Sequence, residues 1–530
     1  MSRMLDFLAR HRRLAVMSIV VELAAAGALA LSGGGHALSL PTLPTNDLQN
    51  LLALTGLPTP AAVPVQESSG PPLASVPPAV CGPGSRPLIG EQGRVPKSAI
   101  NSPAAAQGWT CNASEVSHFA TPGGFRVWRY VDDAGHVCAF YDTSLFSPAN
   151  IVSLLLGPSP GVVVLNMADP THPVQTDILT SLPMELPHES LNLNAKRGLL
   201  AAEMGNGAAL PGLMAIYSVS QDCLHPVLDS TYLAARFGHE SGFAPDGRTF
   251  YIGGAEGIAA VDVSDPSHPK TIWQGNVFAH GLNVSDDGDT LYDTNPVDGN
   301  LALLNVSQIQ NRDPHPVVTE ISRISWPSVS IPQNTDPMTI NGHHYLLEFD
   351  EFAFRFNPAT VYDNTPGAAR IINIDDPAHP SVVSNVRLAV NMPAAHAAAA
   401  GDPSPLPTAN LTYAAHYCAI PREVDPEIAA CSFINSGLRI FNIQNPAHPY
   451  EVAYYISPPT AADGGNPGDL AMSQPAFDPA RHQVWYTDAT SGFYDLQLDN
   501  NVWPDATGVP AARHHRKRRV RPRHRRARSR

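Results

Sequence analysis

Ile258-Ala259-Ala260-Val261-Asp262-Val263-Ser264-Asp265-Pro266-Ser267-His268-Pro269 is a short β-forming run that ends in a proline-flanked corner, and the chain repeats it. Val162 to Pro173, Arg370 to Pro380 and Arg439 to Pro449 are further full copies, each closing on Asp/Asn-Pro-x-His-Pro. Degenerate copies end at His225-Pro226 and His315-Pro316. The six His-Pro prolines are spaced by 53, 43, 47, 64 and 69 residues. Units of about 43 residues with insertions have the period of a propeller blade. Proline fixes φ and removes a donor on either side of a polar position, so the motif makes a rigid corner between antiparallel strands.

Working outward, the clearest unit runs from His239 to Asn276. His239 to Ala244 reads as an inner strand, Pro245-Asp246-Gly247 as a turn, and Thr249 to Gly253 as the second strand. Ile258 to Val263 is the third and Lys270 to Gln274 the outer edge. A seventh third-strand match, Gly492 to Leu498, lacks both the turn and a following strand. The fold expected is therefore all-β: a β-propeller of seven four-stranded blades, closed by an N-terminal strand between Arg86 and Phe119 that completes the last sheet.

These runs resemble the LVIVD-repeat β-propeller proteins, over roughly Phe125 to Asn500. Ala415 to Cys418, Asn435 to Phe441 and Val484 to Asp488 are similar to secreted actinobacterial members. The resemblance implies the fold and does not imply a single reaction.

The 530 residues carry a net charge of −14, 52 Pro and 39 Gly, with 15% charged residues. So many breakers exclude a long helical or coiled-coil protein. The charge is unevenly placed: Arg513 to Arg530 holds eleven basic residues and no acidic one, and the body from Leu38 to Ala512 has 18 basic against 45 acidic. Residues 1–37 read as an export signal, cleaved or retained as an anchor, with basic residues to Arg13, an apolar run from Leu14 to Leu31 and small residues before Leu38. Residues 38–80 are expected as a Pro/Ala-rich disordered linker, 81–505 as the propeller and 506–530 as a basic disordered tail. The protein is thus expected to be secreted or associated with the cell envelope. The tail suits anionic lipid or wall polymer, and sequence-specific nucleic-acid binding is not expected.

Six cysteines beyond the signal suit an oxidising compartment. Locality favours Cys418 with Cys431 and Cys111 with Cys138, which leaves Cys81 with Cys223. None has CxxC spacing, so a zinc site or redox dithiol finds no support.

Aligning the units on their turns places one residue per blade at the start of the inner strand: His188, His239, His280, Asn334, His416 and about Ser473. Four imidazoles gathered in a channel suit a transition metal. Glu189 and Glu240, directly after two of them, and Asn334 are candidates to orient the ligands, although neighbours on a strand point to opposite faces. Carotenoid oxygenases, also seven-bladed, hold iron through four His, a precedent of architecture only. Histidine at this place also serves inner-strand structure, while the His of the Asp-Pro-x-His-Pro corners are expected to be purely structural. Asp286-Asp287-Gly288-Asp289 reads as a hairpin turn rather than a calcium loop. No nucleophile elbow, phosphate loop or His-Glu-x-x-His motif is present.

Two function classes follow. The first is a binding or scaffold module for a protein, glycan or small molecule, with insertion loops as the binding face. Phe352, Phe354 and Phe356 of the loop Glu348 to Phe356 are its first candidates. The alternative is a metal-dependent enzyme, an oxidoreductase for example, with substrate entering the channel towards the four histidines.

Overall fold

Alternating apolar strands with proline corners build seven antiparallel sheets in a ring, in a computed structural model. It describes residues 57–68, 70–143, 161–205, 212–235, 237–254, 257–296, 298–352, 366–404, 413–461 and 467–504. The expected signal (1–37) and basic tail (506–530) lie outside the described residues, as do Phe354 and Phe356. No helix among the described residues is long and apolar enough to cross a membrane.

The unit that reads most clearly becomes blade 3: Glu240–Phe243, Thr249–Gly253, Ile258–Asp262 and Lys270–Gly275, in meander order. The inner strands of the other blades are Val127–Val131 (blade 1), Asn192–Asn194 (blade 2), Leu282–Val284 (blade 4), Ile331–Ile340 (blade 5), Cys418–Ala419 (blade 6) and Ala476–Asp478 (blade 7). Blade 7 takes its outer strand from the N-terminal side: Ala113–Phe119 pairs antiparallel with Gly492–Leu498. Closure therefore joins chain ends, and the first and last inner strands pack on one another.

The corners do more than turn the chain. In each full copy the His backbone N–H donates to the Asp or Asn carbonyl three residues earlier. Where that residue is Asp, the imidazole also bonds its carboxylate, as in His268 to Asp265 at 3.0 Å and His379 to Asp376 at 2.8 Å. The first corner proline offers its free carbonyl to the preceding blade: Ser230, Ser322 and Ser384 Oγ each donate at 2.6 Å, to Pro266, Pro377 and Pro446. These exposed histidines are structural. So is the Asp286 to Asp289 run, which turns between Leu282–Val284 and Thr290–Asn295 with Gly288 N–H donating to Ser285 at 2.8 Å.

Two expectations are corrected. From Leu57 on, the stretch expected as disordered linker is a strap along the outer blade edges. Pro58 accepts from Asn276, Gln66–Glu67 pairs parallel to Thr319–Ser325, Val76 donates to Arg387, and Pro77 accepts from Glu451. A proline-rich chain is extended and keeps its carbonyls as acceptors, which is what an open strand edge can bind. The disulfides are Cys81–Cys111, Cys138–Cys223 and Cys418–Cys431, so only the last follows locality. Cys111 ends Trp109–Cys111, which pairs with the outer strand of blade 6, whereas Cys138 lies in blade 1. The closing strand between them sends the two cysteines to different sheets.

The acidic excess is partly internal. Asp495, fully buried opposite Trp485, has its carboxyl pushed up to about 7, chiefly by burial. A carboxyl raised in the folded state contributes fully below its unfolded value near 4 and loses that contribution as pH rises through 7. Asp495→Asn is therefore expected to shrink the stability difference between pH 5 and pH 8 by about 2 kcal/mol, read from urea midpoints at the two pH values. An unchanged difference would show that Asp495 titrates as it does in the unfolded chain.

Candidate metal centre

The four predicted histidines come together. Each sits just before or at the start of an inner strand, in blades 2, 3, 4 and 6, so the repeat delivers all four imidazoles to one region of the channel. His188 and His239 rings lie 4.9 Å apart, as do those of His239 and His280. What they surround is the carboxylate of Glu189. Its Oε2 is 3.5 Å from His188 Nε2, 3.3 Å from His239 Nε2 and 3.8 Å from His280 Nε2, and its Oε1 is 3.3 Å from His416 Nε2. A second carboxylate, Glu351, reaches His280 Nε2 at 3.4 Å and His416 Nε2 at 3.1 Å.

Glu189 is at the centre of the group rather than behind it, which corrects its expected supporting role. The physical reason is backbone conformation. His188 has φ of +49°, in the left-handed region, so the strand alternation that would separate neighbours is broken and both side chains turn inward. A non-glycine residue held there costs on the order of 1 kcal/mol or more, and such residues cluster at functional sites. Phe352, directly after Glu351, also has a positive φ, +50°.

Two of the imidazoles, His280 and His416, are oriented by backbone carbonyls. His280 Nδ1 donates to Pro332 O at 2.8 Å and His416 Nδ1 to Met472 O at 2.7 Å, because a carbonyl can only accept. Each bond turns Nε2 toward the carboxylates, the arrangement found around histidine metal ligands. Burial, opposed by Glu189, lowers His188 to about 4. Burial and the neighbouring imidazoles lower His239 to about 3, leaving both rings neutral. Against the same burial, the bonds to Glu189 and Glu351 raise His416 to about 9. The surrounding imidazoles also outweigh burial at Glu189 and hold its carboxyl well below the usual range. A cation seated among these donors competes with the proton on His416.

Glu240 and Asn334 do not touch the histidines. Glu240 begins its strand pointing the other way and receives Arg126 and the Asn334 amide. Arg126, at the position in blade 1 equivalent to the histidines, is buried. Its Nε donates to the Glu189 carbonyl at 2.9 Å, its other nitrogens reach Gln474, Glu240 and Tyr417, and its guanidinium lies 4.3 Å over the Tyr417 ring. This plug anchors the backbone of the central carboxylate. Near Ser473, Met472 supplies only its carbonyl, and Ser473 Oγ accepts from Thr487 N at 2.8 Å. Phe352, expected on a binding face, is turned inward and 6% exposed, its ring 6.3 Å from His416. Phe125 lies 4.6 Å from His188 and 5.3 Å from His416.

Arg126 and Tyr417 were not singled out from sequence, and Glu351 was read only as part of the loop Glu348 to Phe356, whose first four residues end the strand His343–Glu351. A signal for Glu351 exists in the repeat: second strands end on Asp142, Glu203, Gly253, Asn295, Glu351, Ser432 and Asp488, polar in six of seven blades. The shorter Asp142 caps local backbone N–H groups, accepting from Phe125 and Arg126, while Glu351 has the reach to enter the channel.

No family model and no curated protein matches the chain. Among solved structures, the Cps50 (Swd1) β-propeller domain of Myceliophteria thermophila is similar at 11% identity and a TM-score of 0.45, over 72% of this chain and 99% of that one. A functionally unknown protein from Desulfotomaculum acetoxidans DSM 771 is similar at 12% identity and a TM-score of 0.39, over 62% of this chain and 86% of that one. With its seven sheets closed in a ring, the chain is a β-propeller.

Proposed function

We propose that this propeller is a metal-dependent enzyme whose channel holds a transition-metal centre on His188, His239, His280 and His416, with Glu189 and Glu351 as the carboxylate donors. The observation behind this is the convergence of four imidazole Nε2 atoms on Glu189, at 3.3 to 3.8 Å. Donor atoms that share one ion at about 2.1 Å stand roughly 3 to 3.5 Å apart, so little movement is needed. A propeller serves binding and scaffolding as readily as catalysis, and the fold alone does not choose between them. The buried donor set tips the balance, because a pure scaffold gains nothing from grouping two carboxylates and four imidazoles out of water. His239, with its side chain 14% exposed, is the least covered donor and marks the side on which a small substrate meets the centre.

Imidazole and carboxylate donors suit iron, manganese, copper or zinc. The metal would supply Lewis acidity or redox chemistry, while the chain supplies the imidazoles and the anchored Glu189. Three disulfides, with no free cysteine, support export into an oxidising compartment. The corner geometry supports kinship with LVIVD-repeat propellers.

Full-chain protein, dialysed separately against Fe2+, Mn2+, Cu2+ and Zn2+ and then freed of loose ions, is expected to retain metal. His239→Ala together with His280→Ala is expected to lower affinity at least about tenfold while the far-ultraviolet circular dichroism stays that of the native sheet. Wild-type protein that retains none of the four metals sinks the reading.

A further inference from the structure

We propose that the centre is dinuclear, with the Glu189 carboxylate bridging two unequal metal ions; this rests on the metal reading above. One ion bonded to all four imidazoles needs every Nε2 within about 4.2 Å of every other, twice a metal–nitrogen bond of about 2.1 Å. The donors gather differently. His188, Glu189 and His239 form one group and Glu189, Glu351 and His416 another, the ligand atoms of each lying within 4.8 Å of one another.

Glu189 belongs to both groups through different oxygens. Its Oε2 faces His188, His239 and His280, and its Oε1 faces His416. Glu351 is split the same way, with Oε1 3.4 Å from His280 and Oε2 3.1 Å from His416. A carboxylate such as Glu189 that presents one oxygen to either group can bridge two ions, and ions bridged in this way stand about 3.5 to 4 Å apart.

The two positions differ in what they offer. The first takes His188 and His239 with Glu189 Oε2, and His280 stands between the two groups, 3.8 Å from Glu189 Oε2 and 3.4 Å from Glu351 Oε1. The second takes His416 with Glu189 Oε1 and Glu351 Oε2. The first ion, beside His239, whose side chain is the least covered of the donors, is the one a small substrate reaches, and the second, on fully buried His416, holds the carboxylates in place. The left-handed backbone at His188 and the Arg126 bond to the Glu189 carbonyl fix the bridge before any ion arrives.

Full-chain protein is saturated by dialysis with Mn2+ and, separately, with Zn2+, and ions per chain are counted. Two per chain are expected with either metal, and the Mn2+ form is expected to show an exchange-coupled electron paramagnetic resonance spectrum with hyperfine spacing about half that of an isolated ion. His416→Ala is expected to hold one ion and give the six-line spectrum of isolated Mn2+. Glu351→Gln, which keeps the side chain's shape, is expected to weaken the second ion by about tenfold or more and the first by less. Saturation of the wild type at one ion, or two ions without coupling, overturns the dinuclear bridge and leaves the metal reading standing. Retention of neither Mn2+ nor Zn2+ overturns the dinuclear bridge, and the metal reading falls with it when Fe2+ and Cu2+ are not retained either.

Discussion

Arg126→Met is expected to cost about 3–5 kcal/mol of folding stability, because it leaves a carboxylate and an amide oxygen buried without their cation. Arg126 is 3% exposed and its partner Glu240 fully buried, so water does not replace the lost contacts. The guanidinium reaches Glu240, Gln474 and Tyr417 and donates to the Glu189 carbonyl at 2.9 Å, tying blades 1, 2, 3, 6 and 7 across the channel. The double variant Arg126→Met with Glu240→Gln is expected to recover about half of the loss, since the unpaired charge is then gone. Urea denaturation of the three proteins reads both effects. A loss below about 1 kcal/mol in Arg126→Met would mean that the plug is solvated and that the channel is wetter than its burial indicates.

The second large effect concerns Cys138 and Cys223, which staple blade 1 to blade 2 across 85 residues of chain. Closing a loop of that length restricts the unfolded ensemble by about 4.5 kcal/mol in the chain-entropy description. The Cys138→Ser/Cys223→Ser protein is expected to lose about 4 kcal/mol, against about 3 kcal/mol for Cys418→Ser/Cys431→Ser, whose loop spans 13 residues. Both are measured by denaturation under non-reducing conditions. Equal losses would show that local packing around the sulfurs, rather than loop length, sets their contribution.

The blades were legible because their signal is local and repeated. A β-run such as Ile258 to Val263 followed by a proline corner forms the same hairpin wherever it recurs, and six copies fix the period. The histidines were legible for the same reason, since an alignment on the corners assigns each one to the mouth of an inner strand. The missing outer strand of the last unit pointed to closure by the chain's beginning, and Ala113–Phe119 supplies it.

What escaped is what repetition does not encode. Glu189 was read as facing away from His188 because strand alternation puts neighbours on opposite faces, and that rule fails where φ of His188 is +49°. Glu351 sits at the far end of a second strand, 71 residues after His280 and 65 before His416, and its part emerges only when blade 5 is set beside blades 4 and 6. Pairing by locality failed for Cys111 and Cys138 because the strand between them belongs to the last sheet rather than the first.

By itself the sequence determined a seven-bladed ring, its closure and four imidazoles at equivalent places, because each follows from a local pattern multiplied by a period. Only the tertiary structure decided that two carboxylates lie among those imidazoles, that Arg126 anchors the backbone of Glu189, and which cysteines meet. Those outcomes depend on closing the ring, which brings together residues whose separation in sequence carries no periodic signal.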